Sequence, residues 1–147
     1  MKKIILMTVI CCLLMTSLSA FAVAENIIIN GETITIPAEM GKVCEVDDRT
    51  FVPVRFVTEY LGCTVVYQEE QQSATITHPK SETYYFMMAG DNRLFVLPGV
   101  TVMMDTNVFI NNEEGRMYVP VRFLAQVLGY TVDWDDATQT VTLTSAQ

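Results

Sequence analysis

Two hydrophobic periods alternate along the second half of each of two stretches in this chain. Val54, Val57 and Leu61 recur at i, i+3 and i+7, as do Val121, Leu124 and Leu128, so each set forms one apolar helical face. Phe51-Val52 and Tyr118-Val119 precede prolines, which holds them extended. Pro53 and Pro120 suit the first helical position, where no amide hydrogen is required. Gly62 and Gly129 follow the apolar faces and can take the left-handed cap. The predicted helices are short, about two and a half turns. Beyond each glycine the period becomes two. Cys63, Val65 and Tyr67 share a face, as do Tyr130, Val132 and Trp134. Polar turns follow, and the returning strands place Ala74 and Ile76, or Val141 and Leu143, inward with threonines outward. Each helix is therefore followed by a predicted β-hairpin.

More strands precede the helices. The first stretch offers Ile27–Ile29, Thr33–Ile36 and Lys42–Val46; the second offers Thr83–Met88, Arg93–Leu97, Val100–Met104 and Val108–Ile110. Asn30-Gly31, Gly90-Asp91 and Pro98-Gly99 are the turn signals between them.

The matching patterns are a repeat. Residues 49–77 and 116–144 align without a gap at an offset of 67, with 13 of 29 positions identical. Between Pro98 and Arg116 the second copy carries six residues more than the first does between Pro37 and Arg49. A helix of about nine residues is not stable alone in water, and a copy of about 55 residues has a thin core. The fold class expected is α+β: mostly antiparallel β-sheet packed on short helices, in two pseudo-repeated β-β-α-β-β halves, about 26–77 and 83–144, sharing one core. His78-Pro79-Lys80-Ser81 is the joint between them.

The first 24 residues have a different character. Lys2 and Lys3 precede an apolar run from Ile4 to Leu18, and Ala22-Val23-Ala24 supplies the small-x-small pattern of a signal peptide, with cleavage expected between Ala24 and Glu25. Cys11 and Cys12 lie inside the apolar run, which does not fit a lipid anchor. No later stretch is long enough to span a bilayer. The expected mature chain is 25–147, secreted or associated with the cell envelope. Loss of two lysines takes the net charge from −8 to −10, which argues against a nucleic-acid partner. Two of four cysteines remain, Cys44 and Cys63, and export makes a disulfide between them one reading, with two buried thiols the other.

The combination Arg-x-(Phe/Tyr)-Val-Pro-Val-Arg-Phe, a short helix ending Leu-Gly, then Thr-Val and an aromatic-bearing hairpin resembles the copper amine oxidase N-terminal domain-like, or stalk, family. Arg49 to Thr77 and Arg116 to Thr144 carry the likeness. The resemblance implies a sheet curled around a helix, in exported bacterial proteins, often joined to other extracellular modules. It also implies a projecting stalk without chemistry of its own, because the oxidase's copper ligands and tyrosine-derived cofactor belong to a separate catalytic domain. This chain has one histidine, His78, expected in an exposed loop, whereas a histidine-based copper site needs several.

Other candidates weigh little toward catalysis. There is no Gly-x-Ser-x-Gly elbow and no His-Glu-x-x-His, and nothing singles out a pair among 17 acidic residues. No catalytic, cofactor or metal residue is assigned, and no cofactor is expected. Asp133, Asp135 and Asp136 suit turns that bond their own backbone. Met87-Met88 and Met103-Met104 point to opposite faces if in strands. The candidates for interaction are Arg55 and Arg122 near the helix starts, Tyr84 and Tyr85 after the joint, and Trp134 in the second hairpin. Repetition of Arg55 and Arg122, like that of Arg49 and Arg116, favours scaffold roles, and Tyr67 and Trp134 favour core packing. The function expected is an exported non-catalytic interaction module with a protein or cell-wall partner. The alternative is a carbohydrate-binding module, and a small hydrolase is the third reading.

Overall fold

The computed structural model describes residues 26–146. The expected signal segment and its junction at Ala24 and Glu25 lie outside the described residues. Among the described residues no helix is long and apolar enough to cross a membrane.

The protein is mostly antiparallel β-sheet with two short helices. In chain order the elements are β1 (Asn26–Ile29), β2 (Glu32–Ile34), a 3₁₀ turn (Ala38–Met40), β3 (Cys44–Val46), β4 (Arg49–Pro53), α1 (Val54–Tyr60), β5 (Thr64–Gln68) and β6 (Ser73–Thr77). After the joint come β7 (Tyr84–Met88), β8 (Arg93–Leu97), β9 (Val100–Met103), β10 (Phe109–Asn111), β11 (Arg116–Pro120), α2 (Val121–Val127), β12 (Tyr130–Asp135) and β13 (Thr140–Ser145). The six extra residues of the second stretch have a visible effect. Where the first stretch makes only a 3₁₀ turn, the second adds strand β9.

Three sheets form instead of one curled around a helix: β12-β13-β1-β2, β10-β11-β4-β3 and β5-β6-β7-β8-β9. Neither sequence half closes on itself. The first half's hairpin β5-β6 continues into β7-β8 of the second, and the second half's hairpin β12-β13 takes up β1-β2 of the first, with β1 and β13 parallel. The middle sheet joins the halves directly, pairing Phe51 with Pro120, Val52 with Val119 and Pro53 with Tyr118. Val52 is thus opposite its own counterpart 67 positions away, and Phe51 and Pro53 are each opposite the residue two positions from theirs.

Local chemistry explains the helices. Pro53 and Pro120 remain extended (φ −62°, ψ 121° and φ −61°, ψ 120°) and stand just before the helices rather than at their first residue. The cause is that both prolines still belong to the β4–β11 pairing. Gly62 and Gly129 take φ of +80° and +84°. After α1 the Gly62 amide donates to the Glu59 carbonyl and the Cys63 amide to the Thr58 carbonyl, a double closure of the helix end. Val54, Phe56, Val57 and Thr58 of α1 and Val121, Leu124 and Ala125 of α2 are buried. Thr58 spends its hydroxyl on the Val54 carbonyl at 2.7 Å, so its burial leaves no orphan donor. One continuous apolar cluster contains residues of both halves, among them Ile27, Val52, Ile76, Leu94, Val119 and Leu143.

Candidate binding clefts

Two open clefts form where each helix start meets the hairpin that follows it and a turn from the other half. The first, about 380 Å³, is lined by Arg55, Tyr67 and Glu69 of the first half and Arg116 of the second. The second, about 630 Å³, is lined by Arg122, Trp134 and Asp136 of the second half and Arg49 of the first. Every member of one set lies 67 positions from its counterpart in the other. The floors match too, since Pro53-Val54 and Val65 answer to Pro120-Val121 and Val132. Both volumes fall in the range of about 300–1,000 Å³ typical of small-ligand sites.

The four arginines divide by role. Arg49 donates to the Asp47 carbonyl at 2.6 Å and Arg116 to the Glu114 carbonyl at 2.8 Å, the same bond made twice. Arg49 Nε also lies 3.0 Å from Asp105 Oδ2, and Arg116 reaches the Glu39 carbonyl. These two side chains fasten turns. Arg55 and Arg122 are different, because both are exposed at the cleft rims. Arg55 has a loose ion pair with Glu59, 3.8 Å away on the next helical turn, and Arg122 has no ion pair among the described residues. Among the described residues neither makes a sheet-crossing hydrogen bond or ion pair of the kind a scaffold arginine would make.

Trp134 is also not in the core. It lies opposite buried Val141 but is 39% exposed, because β12 is the outermost strand of its sheet. Its Nε1 donates to Asp136 Oδ1 at 2.6 Å, which sets the angle of the indole. The adjacent Asp135 accepts from the Ala137 and Thr138 amides, at 2.9 and 3.4 Å. Hydrogen bonds from Thr138 and Ala137 hold its carboxyl below the usual range. Tyr67 is half-buried and packs against the core with one side toward the first cleft.

The remaining candidates separate. Tyr84 is 47% exposed, but Tyr85 is only 6% exposed, because alternation in β7 turns it inward beside Met87; an interaction role for Tyr85 is withdrawn. Cys44 and Cys63 are both free thiols, Cys63 buried and Cys44 half-buried, so of the two thiols expected to be buried only Cys63 is fully so. Cys44 lies in β3, while the closure of α1 points Cys63 into the core; burial raises both thiols above their ordinary pKa. His78 is half-buried rather than exposed, and its Nδ1 accepts from the Lys80 amide at 3.2 Å. Met87 and Met104 are buried and Met88 and Met103 exposed, as opposite strand faces require.

Comparison with protein families matches residues 25–143 to the copper amine oxidase N-terminal domain. The chain belongs to that family. No curated protein and no solved structure matches it. In the copper amine oxidases this N-terminal domain is non-catalytic. The donor set of this stalk-domain chain does not fit a histidine copper centre: His78 is the sole imidazole and its Nδ1 serves the joint. Among the described residues no group of three or more His, Cys, Asp or Glu side chains could hold a metal.

One structural tie beside the first cleft escaped sequence reasoning. Tyr118, 1% exposed, donates its hydroxyl to Glu114 and accepts from the Lys42 amide at 3.2 Å, tying the first half's 3₁₀ loop to the turn beside the first cleft. Burial and the Glu114 carboxylate push its phenol up to about 12. Gly41 lies so close that an added Cβ would come within 2.7 Å of the Tyr118 hydroxyl. The only signal was the replacement of Phe51 by Tyr118 between otherwise matching motifs.

Proposed function

We propose that this stalk-family chain is an exported, non-catalytic interaction module of the bacterial cell envelope, built from two pseudo-repeated halves and binding a protein or cell-surface partner through its paired clefts. The observation that carries the reading is the matched lining of those clefts: a guanidinium, an aromatic ring and a carboxylate in each, at equivalent positions. Arg55 and Arg122 stay at the rims without a structural pairing that would account for both. The family supports a non-catalytic role, and the signal-like leader supports export.

Incubation of the purified secreted protein with isolated cell wall and, separately, with the secreted protein fraction is the test. Saturable retention on one of them is expected, with Arg55→Ala/Arg122→Ala reducing it without lowering Tm. Absence of retention on both, or retention untouched by the double substitution, overturns the reading.

A further inference from the structure

The paired clefts carry a more specific assignment, which rests on the interaction reading above. We infer that they are two equivalent binding sites for a neutral carbohydrate chain. Pyranose rings present apolar C–H faces and a rim of hydroxyls that both donate and accept. A ring-stacking platform bordered by both signs of charge matches that chemistry, because carboxylates take hydroxyl protons and guanidinium groups supply them. The second cleft has this composition. Trp134 offers a partly open indole, already oriented by its bond to Asp136. Arg122 brings donors without an ion-pair partner among the described residues, and Glu45, Asp48 and Asp136 bring acceptors.

Charged ligands fit less well. An anionic polymer would meet carboxylates that outnumber the arginines in each cleft, on a chain already carrying surplus acid. A cationic peptide would meet Arg122 and Arg55 beside the aromatic rings. Neutral hydroxyl groups can use both signs. The first cleft repeats the set with Tyr67, Arg55 and Glu69, so a chain of sugars has two places to bind on one protein. Its smaller volume and less exposed ring make it the weaker of the two.

Trp134 is the only tryptophan, so its fluorescence reports the second cleft directly. The full secreted protein is titrated with chitotetraose and with cellotetraose, and in parallel with tetragalacturonate and tetralysine, by emission and by calorimetry. Saturable quenching by a neutral tetrasaccharide and a calorimetric stoichiometry approaching two are expected. Trp134→Ala should weaken the stronger site at least about tenfold, and Tyr67→Ala the weaker. Because Trp134 is at a rim, unchanged Tm in Trp134→Ala separates loss of binding from loss of fold. No response to either neutral tetrasaccharide, or a response only to tetragalacturonate or tetralysine, overturns the assignment. If that occurs while retention on the secreted protein fraction persists, the carbohydrate inference falls and the interaction module stands.

Discussion

Tyr118 shows how a single hydroxyl can differentiate two otherwise matched motifs. Its counterpart Phe51 is buried to the same degree and both lie against Phe109, with ring centroids 5.3 and 5.0 Å away. Only Tyr118 adds a bond to Glu114 and one from Lys42. Tyr118→Phe keeps the ring and removes the tie, so it should cost about 1–2 kcal/mol at neutral pH. The sign with pH follows from the phenol being near 12 when folded and near 10 when unfolded. The folded state holds the proton more tightly, so this stabilisation is complete below pH 10 and is lost as pH rises toward 12. Melting curves of both proteins from pH 7 to 11 should show their Tm gap closing only above pH 10. A gap that stays constant there would refute the role given to the hydroxyl. The two thiols give a second residue-scale expectation. With Cys44 and Cys63 unbridged, reductant should leave Tm unchanged, and two thiols should react with a disulfide reagent after denaturation of a protein spanning residues 25–147. A fall in Tm on reduction would mean that a bridge exists.

At the scale of elements, the β4–β11 pair is the contact on which both halves depend. Val52 and Val119 face each other at its centre and are both fully buried. Truncation of either removes two methyl groups from similar surroundings, so Val52→Ala and Val119→Ala should each cost about 2 kcal/mol. Urea unfolding should give two values within about 0.5 kcal/mol of each other, and the double variant should depart from their sum because the two residues touch. Strongly unequal costs would show that one half carries the joint. Hydrophobic periods located these elements well: both helices, both glycine caps and nearly every strand lie within a few residues of where alternation places them. A period, however, says which face of a strand is apolar and not which strand lies beside it. For that reason the exchange of hairpins between halves was not legible. The same gap hid the clefts. Arg122 and Trp134 could be singled out as candidates, but their meeting with Arg49 depends on strand order. Trp134 was misjudged because alternation does not show that its strand is the outermost of its sheet.

The hairpin exchange makes the whole molecule harder to divide than its sequence suggests. Residues 26–77 and 83–144 look like separable units, and each contains a helix and its hairpin. Yet β1-β2 has its only other neighbour in β13, and β5-β6 in β7. A half expressed alone would expose three strand edges at once, those of β1, β4 and β6 or those of β7, β11 and β13, including the edge at Val52 or Val119 that the central pairing covers. The small area such a unit buries cannot offset the chain entropy of ordering it. Fragments 26–80 and 81–146, cut within the joint loop, should therefore be largely unfolded separately by far-UV circular dichroism. Mixed at equal concentration they should recover the spectrum of the intact chain, since every strand pairing except the covalent turn between β6 and β7 remains available. The intact chain should melt in one transition by both circular dichroism and Trp134 fluorescence, because no sheet at the ends belongs to one half. Independent folding of either fragment, or two separated transitions, would mean that each half closes on itself and that the clefts need not form together. A single transition with fragment complementation would instead make the two clefts products of one folding event, so damage to either half would remove both sites.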